Sequence, residues 1–200
     1  MQGTDTAAEP GMRDRKKART RESIRTAALD LFEEQGYDRT TVDQICRRAD
    51  VAHRTFFRYY PAKEALLFGW DFGQIVLDAF AAAPAELPLW AALEHALTET
   101  GGRMEEPVEH TERRRRLRRE LVDVHSVRNY ALVVVDAFNE RTTAIAAERL
   151  GADPATDLRP TAFGALFGGI VRRHILAAGA DGRPLADWVA AYRDVLATTG

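Results

Sequence analysis

Apolar residues recur along most of this chain at three- and four-residue intervals, and no run of Val, Ile and Thr alternates with polar residues as a strand requires. Residues 1–12 are small, polar and aperiodic, and read as a disordered arm. From Thr20 the spacing turns helical: Ile24, Ala28, Leu31 and Phe32 fall on one stripe, and Gly36 offers a C-terminal stop. Thr40-Thr41-Val42-Asp43 has the spacing of an N-cap with an acid three residues on. Val42, Ile45, Cys46 and Ala49 then form a stripe of about two turns. A break at Asp50-Val51-Ala52 leads into a short segment, His53–Tyr60, which Pro61 closes. Two short helices across a tight turn, leaning on a longer first helix, make a helix-turn-helix organisation.

The remainder reads as helix after helix. Lys63 opens one that runs through Phe80, and Pro84 and Pro88 precede another over Leu89–Thr100, closed by Gly101-Gly102. Pro107 opens a long basic helix to about Val124, and Ser126 is placed to cap Val127–Leu150, which Gly151 stops. Asp157–Ala178 and Leu185–Ala197 complete about nine helices, so the fold class is all-α. The expected organisation is a disordered basic arm over residues 1–18, a helix-turn-helix domain over 19–65 and a second helical domain over 66–200.

Composition changes this picture in one respect. A chain of 200 residues with 46% hydrophobic and 29% charged residues can bury a substantial core, and falls outside the disordered and collagen-like classes. The lone cysteine, Cys46, excludes a disulfide framework within the chain and a four-thiolate metal site. No stretch reaches the ~18–20 apolar residues of a membrane span, and the first residues lack the basic and apolar regions of a secretory signal, so a cytoplasmic setting without membrane attachment is expected. The net charge of −2 gives no hint of nucleic acid until it is divided. Residues 12–63 carry a net charge of +5, and residues 64–200 carry −5. A basic head on an acidic body is the footprint of a nucleic-acid-binding module.

Catalysis finds little support. The two serines, Ser23 and Ser126, lie outside any G-x-S-x-G turn, and neither a phosphate loop nor a Rossmann fingerprint occurs. The five histidines lack metal-ligand spacing, so no cofactor, metal or enzymatic activity is expected.

The segment Thr40–Leu67 carries a T-T-V-x-x-I start, an A-x-V turn, a T-x-F-x-Y-Y recognition helix and a K-E-x-L-L continuation. In this it resembles the TetR family of one-component transcriptional regulators, over residues ~19–68. The resemblance implies a homodimer that reads a palindromic operator in double-stranded DNA and is released from it by a small-molecule effector. It implies phosphate contacts by Thr41, Thr55, Phe57, Tyr59 and Lys63, and positions near base edges for Val42, Asp43, His53, Arg54 and Arg58. Three residues depart from the family pattern: Ala52 replaces the usual capping serine, Arg54 a glycine and Phe57 a tyrosine. Arg54 gains a donor fork that can read guanine O6 and N7, so a distinct operator preference is expected.

For the second domain, over 66–200, the resemblance implies ligand binding and dimerisation, through a ligand pocket and a dimer face. Trp70, Trp90, Arg113, Arg114, His125 and Tyr130 are the candidates for the pocket. Arg113 and Arg114 lie one turn before Leu117 and could clamp an anionic group. The chain is also similar to a TetR subgroup whose regulatory domain is called acyl-CoA-like ligand-binding, which implies a bulky, partly anionic effector. Phe163, Phe167, Val171 and His174, with Trp188 and Tyr192 on the last helix, are the candidates for the dimer face. Release would follow from movement of the helix spanning Lys63 to Phe80, by a coupling of roughly 1–3 kcal/mol or more. Repression is the family's usual mode. The alternatives are activation, redox sensing through Cys46, non-specific DNA coating, and an adaptor that has lost DNA binding.

Overall fold

The computed structural model describes residues 12–68, 70–101, 108–176 and 184–198. Among these, nine α-helices and one 3-10 turn account for all the regular structure, with no strand. They are α1 (Met12–Gln35), α2 (Val42–Arg48), α3 (His53–Tyr59), the 3-10 turn Lys63–Leu67, α4 (Trp70–Ala82), α5 (Leu89–Gly101), α6 (Val108–Leu121), α7 (His125–Leu150), α8 (Leu158–Leu176) and α9 (Leu185–Thr198). The chain divides into two compact units between Leu66 and Leu67.

In the first unit the apolar stripes meet. Ile24, Ala28 and Leu29 of α1, Ile45 of α2, Phe56 of α3 and Leu66 are fully buried. Hydrogen bonds then fix the helix ends: the Ser23 hydroxyl donates to the Ala49 carbonyl at 3.2 Å, and the Tyr60 hydroxyl to that of Arg21 at 3.3 Å. The capping box of α2 sits one residue later than the spacing of Thr40 and Asp43 predicts. Thr41 is the N-cap and Gln44 completes the box. Thr40 is instead buried, its hydroxyl donating to the Gly36 carbonyl at 2.8 Å. That leaves the Asp43 side chain uncommitted to the cap.

Two expectations for this part of the chain need correction. Helix α1 begins by Met12, not Thr20, so residues 12–18 are helical and not a disordered arm; residues 1–11 lie outside the described residues. Arg13, Arg15, Lys16 and Lys17 are exposed good helix formers, which leave no apolar stripe to betray the helix. The single helix expected from Lys63 to Phe80 is a 3-10 turn ending at Leu67, followed by α4 from Trp70. Gly69 and Gly73 in this stretch of sequence weaken any continuous helix.

The second unit is built on α7 and α8, packed along their length, with α4, α5 and α9 around them. Gly164 permits the close approach: a Cβ there would collide with the Thr143 hydroxyl of α7. Phe163 stacks on Phe80 with ring centroids 5.7 Å apart and meets Trp90 edge-on at 4.7 Å. Ser126 does not cap α7; the N-cap is Val124, with no side-chain bond. At the other end Gly151, with φ of +58°, and the Ala152 N–H close a left-handed Schellman stop on Glu148 and Ala147. Next to it, the Arg149 guanidinium donates to the carbonyls of Phe80, Ala83, Pro84 and Leu87, satisfying the frayed C-terminal end of α4.

Candidate nucleic-acid interface

Helix α3 is seven residues long and splits into two faces. Phe56 and the following Tyr60 turn inward and are buried, while His53, Arg54, Phe57 and Arg58 are exposed. Its N-cap is Ala52, which offers no side-chain hydrogen bond. The turn from α2 is held instead by backbone. The Val51 N–H donates to the Cys46 carbonyl and that of Asp50 to Arg47, with Asp50 in the left-handed region at φ +52°. Cys46 is buried beneath this turn, where desolvation first and the Asp43 charge second push its thiol pKa up. A protonated, enclosed thiol is poorly suited to redox sensing.

The exposed face is organised by aromatic and ionic contacts. Phe57 remains 48% exposed although its ring touches those of His53 and Phe56, each at 5.3 Å between centroids. His53 Nε2 lies 2.6 Å from Asp43 Oδ1, so two candidate base-edge residues from α2 and α3 are joined to each other. Arg58 lies over the Tyr59 ring at 5.0 Å, and Arg21 approaches the same ring at 5.5 Å. Arg13, Lys16, Lys17 and Thr20 of α1 line a groove of about 240 Å³ with Arg58 and Tyr59. The basic run and the recognition helix therefore share one cationic surface. Thr41 is exposed at the start of α2, and Val42 and Thr55 are half-buried.

Lys63 is placed differently from a free phosphate-binding lysine. Its Nζ donates to the carbonyls of Tyr37 at 2.8 Å and Thr40 at 3.0 Å, and sits 3.9 Å from the centre of the Tyr37 ring. Burial draws its pKa down from the ordinary lysine value. The Tyr37 hydroxyl in turn donates to Glu64 at 2.8 Å, so this group braces the corner between α1 and α2.

In the second unit a cavity of about 270 Å³ opens among α4, α5, α6, α7, α8 and the start of α9. Thr111, Arg114, Arg115 and Arg118 face it from α6 at i, i+3, i+4 and i+7, opposite Phe68, Val134 and Phe138. Arg114 and Arg118 are buried. Desolvation, followed by the like charges of Arg114, Arg115 and Arg119, pushes the Arg118 guanidinium down to about 10. Of the six pocket candidates, Arg114 alone is in this lining; Trp70 opens α4 but its side chain lies outside the described residues. Tyr130 packs behind the wall on Phe68, ring centres 5.5 Å apart, and Arg113 is half-buried outside the lining. Trp90 packs on Phe163 instead, and His125 is exposed with Nε2 2.9 Å from the Asn129 amide.

The dimer candidates also divide. Phe163, Phe167 and Val171 are buried within the protomer, and His174 lines the cavity. Trp188 is half-buried with Arg173 over its ring at 5.6 Å, while Tyr192 is exposed. The outward face carries Leu158, Leu166 and Gly169 on α8 and Tyr192, Val195 and Leu196 on α9.

Two family models match the chain: bacterial regulatory proteins, tetR family, over residues 24–69, and MftR C-terminal domain over residues 87–199. The chain belongs to the tetR family of bacterial regulatory proteins. That family is one of transcriptional regulators and not of enzymes. The chain is 51% identical over 55 residues to the HTH-type transcriptional regulator TcmR of Streptomyces glaucescens, a match covering 28% of this chain and 24% of TcmR. It is 40% identical over 55 residues to the protein named mycofactocin biosynthesis transcriptional regulator MftR of Mycobacterium tuberculosis, covering 28% of each. These matches span about a quarter of the curated relatives' length. In fold, the chain resembles a TetR-family regulator structure from Syntrophomonas wolfei, with a TM-score of 0.57 at 16% identity over 92% of this chain and 96% of that one.

The tetR-family head carries its motif where the sequence indicates, since Thr41 to Lys63 all fall within the matched residues. Sequence reasoning missed Arg115 and Arg118 of the cavity and the bracing role of Lys63. The signal for the arginines was present as a helical repeat, Thr111-Arg114-Arg115-Arg118, which a search for apolar stripes passes over.

Proposed function

We propose that this tetR-family protein is a homodimeric, ligand-responsive transcriptional regulator that binds a palindromic operator, with repression as its mode. The observation that carries the reading is the exposed Arg54-Phe57-Arg58 face of α3, continuous with the cationic flank of α1. Guanidinium forks and short polar groups on such a helix match the donor and acceptor pattern of major-groove base edges. Arg54 reads guanine, and Arg58, held on Tyr59, takes either an adjacent base or its phosphate. Val42 and the joined Asp43–His53 pair lie beside the base edges, and Thr41, Thr55 and Tyr59 meet the backbone. Lys63 serves the same surface from behind, by holding the carbonyls that present Thr41.

One recognition helix spans too few base pairs for specific binding, so two heads in successive major grooves are required. The exposed apolar faces of α8 and α9 supply the contact for the second copy. Effector binding in the second unit shifts the population of head spacings and thereby lowers operator affinity. Gel-shift titration of the full chain on DNA from upstream of its own gene tests this. Specific complex formation with wild-type protein is expected, and Arg54→Ala is expected to lose about 1–3 kcal/mol on the cognate site while relaxing preference at one base pair. An equal loss on all DNA sequences would reduce Arg54 to a phosphate contact.

A further inference from the structure

A buried arginine normally finds a carboxylate or a set of carbonyls, because several kcal/mol of desolvation must be offset. Half-buried Arg149 shows this pattern, with four carbonyls around its terminal nitrogens although its Nε has none. Arg118 does not. It is 7% exposed, its Nε–H is buried without an acceptor, and no carboxylate bonds to it among the described residues. The contact it makes is with the face of Phe68, 5.9 Å to the ring centre. Thr111 is 6% exposed, and its hydroxyl is likewise buried on the same cavity wall without a partner among the described residues. Two unsatisfied polar groups, Arg118 Nε–H and the Thr111 hydroxyl, together with the neighbouring guanidinium of Arg115, leave this wall electrostatically incomplete.

We infer that the cavity takes a compact amphiphile with a carboxylate head, the head seated on Arg118 and Thr111 and the apolar body lying against Phe68, Val134 and Phe138. The inference rests on the ligand-responsive reading above and narrows it. A charged guanidinium fork recognises a planar carboxylate with two parallel hydrogen bonds, and the Thr111 hydroxyl can donate a third. Size decides the rest. The cavity holds about 270 Å³, just under the usual range of roughly 300–1,000 Å³ for a drug-sized ligand. A cavity of that size suits the apolar body of a medium-chain acid, with Arg118 and Thr111 seating its head.

The test is calorimetric titration of the full-length protein with straight-chain carboxylates from hexanoate to hexadecanoate, and with 1-octanol, octylamine and octanoyl-coenzyme A. Octanoate or decanoate is expected to bind tightest, with octanol at least tenfold weaker and octylamine and the thioester weaker still. Arg118→Gln is expected to lose tenfold or more for octanoate while leaving octanol unchanged. The inference is overturned if octanol matches octanoate in the wild-type protein, if affinity keeps rising to hexadecanoate, if the thioester binds best, or if no acid binds at millimolar concentration. The wild-type comparison of acid with alcohol stands even if Arg118→Gln fails to fold. A parallel gel shift separates the two readings: acid binding that leaves the DNA complex intact overturns ligand response, whereas a specific DNA complex with no acid binding overturns only the carboxylate site.

Discussion

Asp50 holds the turn of the helix-turn-helix in the left-handed region, with φ of +52°. Aspartate tolerates that conformation, glycine adopts it freely, and a β-branched residue does so only at a cost of roughly 1–2 kcal/mol. Asp50→Val is therefore expected to lower thermal stability by that amount, and Asp50→Gly to stay within about 0.5 kcal/mol of wild type, as read by urea unfolding. The two adjacent phenylalanines offer a sharper separation of roles. Phe56 is fully buried, so Phe56→Ala is expected to cost about 3–5 kcal/mol and unfold the head. Phe57 is about half exposed, so Phe57→Ala is expected to cost less than about 1 kcal/mol in stability. Its loss should appear instead as weaker DNA binding by anisotropy. Equal losses of stability in the two variants would make Phe57 another core residue.

At the scale of elements, the basic first turns of α1 form one groove with Arg58 and Tyr59. Changing Lys16 and Lys17 to Gln keeps the helix-forming character and removes two charges. Salt titration of operator affinity is expected to show a slope shallower by about 1–2, since each phosphate neutralised contributes roughly 0.9; an unchanged slope would separate this groove from the DNA. These same turns mark the limit of what periodicity reveals. Most helices were legible because an apolar stripe needs a core to face, and Ile24-Ala28-Leu31-Phe32 faces one. The turns from Met12 face none, so their helicity left no trace in the pattern. In α8 the stripe was legible but its direction was not. Phe163 and Phe167 share the helical period with a core position as well as with an interface, and both are buried within the protomer, Phe163 by packing on Phe80 and Trp90. In α6 two of the four described buried residues, Arg114 and Arg118, are arginines, which a hydrophobic pattern assigns to solvent. The helix-turn-helix segment was legible because its residue types and spacing, constrained by a very small core, follow the tetR-family pattern that residues 24–69 match.

At the scale of the whole molecule, the proposed dimer would use the outward faces of α8 and α9. Leu166 and Val195 are exposed on these faces, and a carboxylate at either would have to be desolvated in a dimer. Leu166→Glu and Val195→Glu are each expected to shift the protein to monomer by light scattering with little change in monomer helicity. Specific operator binding should fall at least a hundredfold, because two heads no longer dock together. A stable dimer in both variants would move the interface elsewhere. The position of Arg149 sets a further condition on how a signal crosses the second unit. By binding four carbonyls around the end of α4, it fastens that end to α7, and towards the other end Gly73 lies so close to Phe138 of α7 that a Cβ there would overlap the ring. Helix α4 is therefore held to α7 at two points, and the second of them, Gly73 on Phe138, lines the cavity while the first does not. In the ligand-responsive reading, an occupant of the cavity would press on the Phe138 contact while the Arg149 end stays fixed, so α4 would yield at its Gly73 end.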